Sequence, residues 1–467
     1  MKIMRITPST SYILTHTLKI GVPVAIQSAL VAILSLADVL MVSSFGKEAT
    51  AAVGLASKWH FVAIMIMAGL ATASGILVAQ FWGKSDTIAC KVITLHAAKV
   101  GVAILLPISI AFVWLAPWIL QIQTRDLVVI ALGSEYLLYA SPVLILTHLV
   151  IITESTMRST GDSLTPLAIA ALTIVVNIAL NYLLITGQWG LPPMGVAGAA
   201  LATTIARLLQ MLTYVFFFSY KQHWLTTTSL PLKKPLCHLS QTYNQLALPA
   251  VASALLWAIG TMIYQVIFGH MGTLELAVYS TLGPFESLCY ALFFGLSVAC
   301  SVIIGQNLGR REFATAMETS QLFTKMFTLL GLVTTLLLLL VQPWLLRGLN
   351  LDSEFFLPLS QPAMTILSIA ISLKMLNMVI INGILRAGGE NTFCLKMDFI
   401  AMWLFGLPLT AIAAFAMHYS FEQVYMMMLV EEIIKLTLCW RRYRTRLWLR
   451  DLTTPHNLAD NHSEPAC

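Results

Sequence analysis

Two stretches of this chain repeat one another at a constant distance, and this duplication constrains the fold more than any other feature. A second pair of segments aligns Arg158 with Arg386 and Gly161 with Gly389 at an offset of 228 residues. Chance matches would not keep one register over so many positions, so the chain is a tandem duplication. The residues of the first stretch that recur 226 positions later are Pro23, Gly46, Gly69, Leu70, Ala73, Gln80 and Gly83, which reappear as Pro249, Gly272, Gly295, Leu296, Ala299, Gln306 and Gly309.

The composition places the chain in a membrane. Hydrophobic residues make up 58% of the 467 residues, charged residues only 10%, and the mean hydropathy is +0.82. A soluble protein carries about a quarter of its residues charged. Apolar runs of roughly 20 residues, the length that crosses a bilayer as a helix, recur throughout. They predict helices near 14–44, 50–82, 91–117, 127–156, 164–187, 194–219, 241–270, 275–306, 315–344, 354–386, 394–417 and 421–441.

The predicted fold is all-α: a polytopic membrane protein with twelve transmembrane helices in two six-helix lobes. Spans must be helices or closed barrels, and runs this long favour helices. An even number of spans per repeat makes both repeats enter from the same side, so a pseudo-two-fold axis along the membrane normal relates the lobes. We expect an N-lobe at 1–220, a cytoplasmic linker at 221–240, a C-lobe at 241–441 and a basic, polar, disordered tail at 442–467.

The distribution of Lys and Arg predicts the orientation. Most of these residues fall in loops on one side, so both termini are expected to be cytoplasmic, in the plasma membrane (the bacterial inner membrane). The net charge of +6 belongs to these loops and does not indicate nucleic-acid binding. The expected partners are a small-molecule substrate and membrane lipid, with a monomeric chain. No metal-ligand spacing occurs among the histidines and cysteines, so neither a metal nor a cofactor is expected beyond a coupling ion.

Ionisable and amide residues inside apolar spans point to function, since a charge at the bilayer centre costs a few kcal/mol. Asp38 lies deep in the first predicted helix and Glu286 well inside the eighth. Each is either a packing residue or an acid that exchanges a proton or binds Na⁺. Asn177 and Asn181 are one helical turn apart and share a face. They either complete an ion site with Asp38 or form a structural clasp.

Other embedded residues have structural interpretations. Lys374 and Asp398 are expected to pair between the tenth and eleventh helices. Five residues of the repeated segments are predicted to act as gate or hinge positions: Pro23, Arg158, Gly161, Arg386 and Gly389.

The chain resembles the multidrug and toxic compound extrusion (MATE) family over essentially its whole length. The order and spacing of the matching residues are more specific than any single motif. They are Pro23 and Asp38, Gly54, the helix ends VAQFWG around Gln80 and IGQNLG around Gln306, Arg158 through Pro166, Asn177 and Asn181, Gly187 to Thr203, the segment LRAGGEN from Leu385, and Asp398, Trp403 and Pro408.

The resemblance implies two lobes that rock to expose a central cavity alternately, and export of bulky, apolar, often cationic compounds in exchange for H⁺ or Na⁺. Asp38 matches the family's first-helix acid. Where the NorM-like branch has further acids, this chain has Trp257 and, nearby, Met375, so H⁺ is the expected ion and Na⁺ the alternative. The residues expected to line the substrate cavity are Gln27, Trp257, Tyr264, Phe285 and Phe294.

Three other function classes compete with a drug exporter. A flippase for lipid-linked glycans or lipids belongs to the same superfamily, but often uses more helices and a basic cavity. A membrane-embedded enzyme would need a cluster of catalytic His, Asp or Ser at one interface, which the sequence lacks. A channel is disfavoured because a broad two-lobe duplication does not build a narrow axial pore.

Overall fold

The structure is a computed structural model that describes residues 8–43, 46–187, 192–227, 237–349 and 351–454. Side chains at 8–10, 35–40, 43, 47, 237 and 284 lie outside this description. Over the described residues the chain is helical and contains no strand.

Twelve long helices account for most of the described chain. Two short helices, Ala116–Gln121 and Trp224–Thr227, lie between them. The long helices are α1 Pro8–Ser43, α2 Lys47–Gly83, α3 Thr87–Trp114, α4 Leu127–Ser159, α5 Leu164–Thr186, α6 Gly195–Tyr220, α7 Cys237–Met271, α8 Thr273–Gly309, α9 Phe313–Gly348, α10 Leu357–Gly388, α11 Asn391–Ala416 and α12 Phe421–Arg444.

The first eleven of these helices contain apolar stretches long enough to cross a membrane. Helix α12 has the length for a span, but its mean hydropathy is reduced by Glu431, Glu432, Lys435 and the arginines of its last turn. The predicted all-α, twelve-helix fold is therefore confirmed, with one span that is unusually rich in charge.

The chain divides into two compact units, which we call unit A (Ile26–Val251) and unit B (Met1–Ala25 with Ala252–Cys467). The boundaries differ from those expected, because they fall inside helices α1 and α7. The two breaks, after Ala25 and after Val251, are 226 residues apart, which is the repeat distance. Each follows a repeated proline, Pro23 or Pro249, by two residues. The first helix of each repeat therefore contributes to both units.

Repeated glycines make this division sterically possible. In unit A, a Cβ on Gly69 would lie 2.5 Å from the Cα atom of Val251. In unit B, a Cβ on the equivalent Gly295 would lie 2.5 Å from the backbone nitrogen of Ala25. Real Cβ atoms do not approach backbone atoms this closely, so a helix crossing requires glycine at each of these two equivalent positions. This packing explains why the pair survives in the duplication.

The start of the tail is folded rather than disordered. The last helix runs to Arg444, and the Trp448 side chain is fully buried. Asp451, only 3% exposed, accepts a 2.9 Å hydrogen bond from Arg311. Although burial raises the pKa of Asp451, hydrogen bonds from Thr453 and from Arg311 outweigh it and lower that pKa below its usual value. Disorder was predicted at 442–467 because composition counts polar residues but does not show which of them form hydrogen bonds in the fold. Residues 455–467 lie outside the described range.

Candidate functional site

Asp38 belongs to helix α1, but its side chain lies outside the described residues. Its role therefore stays a prediction.

Asn177 and Asn181 form a buried amide pair on α5 in unit A. Their side chains are 2% and 0% exposed. Asn181 Nδ2 donates a 3.1 Å hydrogen bond to Asn177 Oδ1, whose own Nδ2 donates to Thr203 Oγ1 on α6 at 3.4 Å. The predicted shared face exists, and it is directed into the unit, where amides need partners.

Arg158 binds the first helix of its repeat in unit A. Its Nη1 donates to Gln27 Oε1 on α1 at 3.5 Å and forms an ion pair with Glu154 at 3.4 Å. The Glu154 carboxylate also accepts hydrogen bonds from Gln210 and Tyr214 on α6. Gln27 is thus 7% exposed and engaged by an arginine, rather than lining an open surface.

Arg386 makes the corresponding contact in unit B. Its Nη2 donates at 2.9 Å to the hydroxyl of Ser253, which lies on α7 and is equivalent to Gln27 in the repeat. Ser253 in turn donates to Asp398, which lies 3.9 Å from the same guanidinium. Each predicted gate arginine therefore contacts the first helix of its own repeat. The contact lies two residues beyond the point at which that helix passes from one unit into the other.

The glycines that follow these arginines have left-handed backbone angles. Gly161 has φ +95° and Gly389 has φ +82°, conformations that L side chains rarely adopt. Both allow the chain to turn sharply from α4 to α5 and from α10 to α11.

A charged network occupies the centre of unit B. Lys435 Nζ lies 3.6 Å from Asp398 and 3.2 Å from Glu431. The Tyr264 hydroxyl donates to the other oxygen of Glu431 at 2.7 Å. A Cβ on Gly406 would lie 2.4 Å from that hydroxyl oxygen, so only glycine leaves room for the contact.

Lys374 and Asp398 do not pair as expected. Lys374 instead contacts Glu286 across α10 and α8, and its Nζ lies 5.9 Å from the ring centre of Tyr290. Asp398 is bound by Lys435 and Arg386, which are equally able to neutralise it and lie closer in the fold. Sequence alone cannot select among several cations that are each one helix away.

Glu286 also lines a cavity of about 230 Å³ in unit B. Its other lining residues are Gln265, Tyr279, Ser280, Gly283 and Tyr425. The space is large enough for several water molecules. The predicted coupling acid is thus paired with a lysine and faces a partly polar space.

The four aromatic residues expected in a substrate cavity do not form one surface. Trp257 and Phe294 are 46% and 42% exposed. Tyr264 is 1% exposed and held by Glu431, and Phe285 packs against the apolar core of unit B. The aromatic content predicted that these four side chains line a substrate cavity, but in this conformation two of them are packed inside unit B.

Unit B also carries an apolar groove with a volume of about 710 Å³ between α7 and α11. One charged residue, Lys396, lies among the lining side chains. The apolar lining consists of Ala252, Leu255, Leu256, Ile259, Leu395, Phe399, Ile400 and Leu404.

No role was predicted from the sequence for Glu432 or Asn377. Asn377 Nδ2 donates to the Glu432 carboxylate at 2.7 Å and to the Glu432 carbonyl oxygen at 2.9 Å. The only sequence signal was an acidic doublet, Glu431 with Glu432, inside the last predicted span.

Comparisons with known proteins agree over most of the chain. The MatE family profile matches residues 23–183 and 249–412. The uncharacterized transporter YisQ of Bacillus subtilis is 23% identical, covering 92% of this chain and 93% of that protein. The multidrug resistance protein NorM of Vibrio vulnificus is 25% identical, covering 84% and 86%. A crystal structure of a variant of the Vibrio cholerae MATE transporter VcmN superposes with a TM-score of 0.86 at 19% identity, covering 96% of this chain and 99% of that one.

Proposed function

Because the chain belongs to the MatE family, we propose that it is a secondary active antiporter that exports bulky apolar or cationic compounds in exchange for protons. Na⁺ is the alternative coupling ion. Relatives named as multidrug resistance proteins support this class of cargo. The basic loops support an inner-membrane protein whose termini are both cytoplasmic.

The observation that carries the proposal is the symmetric division of the chain. Helices α1 and α7 change unit at equivalent positions, each just after a proline. Proline removes a helical hydrogen bond and permits bending at that point. Two compact units joined through such helices support alternating access, in which each unit moves as a body.

The charge distribution supports protons as the coupling ion. Asp38 lies in helix α1, inside the span that the sequence predicts, where an uncompensated charge is costly and a proton relieves that cost. The positions near which the NorM-like branch has further acids hold Trp257 and Met375, so an oxygen-rich Na⁺ site lacks two of its ligands.

The proposed cycle begins with the transporter open to the cytoplasm and Asp38 ionised, so a cationic compound is attracted into the cavity. After the units rock, Asp38 takes a proton from the external side. Loss of the negative charge removes the attraction, and the compound leaves. Return and deprotonation inside reset the transporter, and the coupling equals the difference in affinity of the two states for each ligand.

Dye efflux from everted membrane vesicles tests the proposal. Wild type should transport an apolar cationic dye when a proton gradient is imposed, and Asp38→Asn should lose gradient-driven transport. Asp352→Asn makes the same chemical change at an exposed loop position and should transport normally. Intact transport by Asp38→Asn would remove Asp38 as the coupling site. Dependence on Na⁺ at fixed pH would reverse the choice of ion.

The apolar groove of unit B favours a second candidate, a lipid flippase. A groove of about 710 Å³ with one lysine among apolar side chains suits an acyl chain and an anionic head group. Lipid translocation in liposomes containing the purified chain distinguishes the two. A flippase would move labelled phospholipid without any dye gradient, whereas the drug antiporter would not.

A further inference from the structure

The apolar groove between α7 and α11 has walls that unit B itself holds in place. The Ser253 hydroxyl on α7 donates a hydrogen bond to Asp398 on α11. Further along, Trp403 Nε1 on α11 donates at 3.3 Å to the carbonyl oxygen of Leu256, which is one of the lining residues on α7. The groove is therefore formed before a ligand enters it, which lowers the cost of binding.

The dimensions of the groove suit one acyl chain. Its α11 wall extends from Leu395 to Leu404 and its α7 wall from Ala252 to Ile259. At a helical rise of 1.5 Å per residue the two walls are about 10–14 Å long, which is close to half of the roughly 30 Å hydrocarbon core of a bilayer. Both walls belong to helices with apolar stretches long enough to cross a membrane. The groove thus matches the depth of one leaflet.

One end of the groove carries a cation. Lys396 is exposed and lies near the start of α11, shortly after the chain turns at Gly389. Under the proposed orientation this end of α11 is cytoplasmic. A lysine in such a position lays its stem along apolar surface and extends its ammonium group to the interface. A phosphate group located above the groove would meet that ammonium group.

The corresponding surface of unit A differs in both respects. The repeat offset of 228 residues places Ala168 on α5 at the position of Lys396, and both residues are exposed. Helix α5 is regular over Leu164–Thr186, whereas the segment Phe399–Gly406 of the α11 wall is π-helical. π-Helical turns occur frequently at functional sites. The cation and the altered helix therefore occur together, in the second repeat, beside the groove.

From this geometry we infer that the groove binds one anionic phospholipid of the cytoplasmic leaflet as a resident ligand. The phosphate group of the lipid accepts a hydrogen bond from Lys396 Nζ, and one acyl chain lies between α7 and α11. A bilayer lipid suits the groove better than a free anion, because eight of its nine lining residues are apolar. An anionic head group is favoured over a choline head group, whose own positive charge would repel the lysine.

The leaflet assigned to this lipid rests on the orientation in the proposed function, but the binding itself does not depend on transport. A ligand that binds only the folded chain stabilises it by mass action. The bound lipid would lie directly beside the contact of Ser253 with Asp398 and Arg386. It therefore supports the helix pair that the predicted gate arginine joins.

Native mass spectrometry of the full chain, purified in detergent and titrated with dioleoyl phosphatidylglycerol or dioleoyl phosphatidylcholine, tests the site. Wild type should bind one phosphatidylglycerol molecule more tightly than any further one, and more tightly than phosphatidylcholine. Lys396→Met should weaken this first binding about fivefold, as one lysine near an anionic head group predicts, and should remove the preference. Lys325→Met makes the same change at an exposed position of α9 and should leave the first binding constant unchanged.

A second variant changes the groove without changing its charge. Ala252→Phe places a ring between the walls and should weaken the first binding of both lipids. Should Ala252→Phe fail to fold, Leu404→Trp fills the groove from its exposed end instead. Unchanged binding of phosphatidylglycerol in Lys396→Met, or in the variant that fills the groove, would overturn the inference.

Other occupants of the groove would give different results, and each of these would also overturn the inference. A dimer mass that disappears in Ala252→Phe would show that a second copy of the chain covers the groove. Displacement of the first phosphatidylglycerol by tetraphenylphosphonium would show that the groove takes cargo. Movement of labelled phosphatidylglycerol between leaflets, lost in Lys396→Met, would show that the lipid is transported rather than resident.

The binding assay and the efflux assay fail independently. A chain that binds phosphatidylglycerol as described but shows no proton-driven dye efflux would support the lipid site and contradict only the antiport. A chain with proton-driven efflux whose first lipid binding is the same in wild type and Lys396→Met would contradict only the lipid site.

Discussion

Lys374→Met should destabilise unit B strongly, because it leaves the partly buried Glu286 without its cation. The two side chains are 15% and 20% exposed, so solvent screens the pair little. Removing one partner of a buried ion pair costs about 3–5 kcal/mol, whereas replacing both with neutral groups is often nearly neutral. The double variant Glu286→Gln/Lys374→Met should therefore recover most of the stability lost in either single variant.

Thermal unfolding of the purified chain in detergent measures the effect. For a unit of roughly 240 residues, each kcal/mol shifts the midpoint by about 2–4 °C, so Lys374→Met should unfold roughly 6–20 °C below wild type. All variants must be heated at one rate, since membrane proteins of this size unfold irreversibly.

Lys325→Met is the matched control. Lys325 is exposed on α9, so the same chemical change there should shift the midpoint by no more than about 2 °C. The reasoning is refuted if Lys374→Met behaves like this control. It is equally refuted if the double variant loses as much stability as the two single variants added together.

Three further predictions concern other parts of the structure. Gly161→Ala and Gly389→Ala should both destabilise the chain, by about 1–2 kcal/mol for the left-handed backbone alone. Gly389→Ala should cost more, because its Cβ would also lie 3.0 Å from the Leu452 side chain of the folded tail, whereas a Cβ on Gly161 would meet nothing within 4 Å. Equal shifts in the unfolding midpoint would contradict this. Gly406→Ala should lower the midpoint of thermal unfolding, because its Cβ would lie 2.4 Å from the Tyr264 hydroxyl and 2.9 Å from Glu431 Oε2 and would separate the two groups. An unchanged midpoint would contradict this. Asp451→Asn should be destabilising near neutral pH, because the pKa of Asp451 is lowered in the folded chain. A lowered folded pKa gives stability that is present above the unfolded pKa and lost on acidification, so the difference from wild type should vanish as the pH falls below about 4. A pH-independent difference in midpoint would be inconsistent with that pKa.

The duplication and the apolar runs predicted the helices well, because both are properties of local sequence. The exchange of α1 and α7 between units was not predictable, since the repeat shows where equivalent residues lie but not which of them touch. The structure explains why glycine occurs at both Gly69 and Gly295, because each lies against the backbone of a crossing helix.

The polar contacts were only partly predictable. Asn177 and Asn181 share a face because their spacing is fixed by the helix itself. The partner of Lys374 depends on how α8, α10 and α11 pack, and the expected partner Asp398 was wrong for that reason. Glu432 was overlooked because its hydrogen bond from Asn377 depends on how α10 and α12 pack.

Transport by the purified chain in liposomes tests the central claim most directly. With a pH-sensitive dye trapped inside, an outward gradient of the apolar cation tetraphenylphosphonium should drive protons inward in wild type and not in Asp38→Asn, at constant Na⁺ on both sides and with the membrane voltage clamped. The account predicts that an imposed proton gradient drives the cation in the opposite direction in the same liposomes. Cation movement without any proton movement, or movement that requires Na⁺, would contradict it.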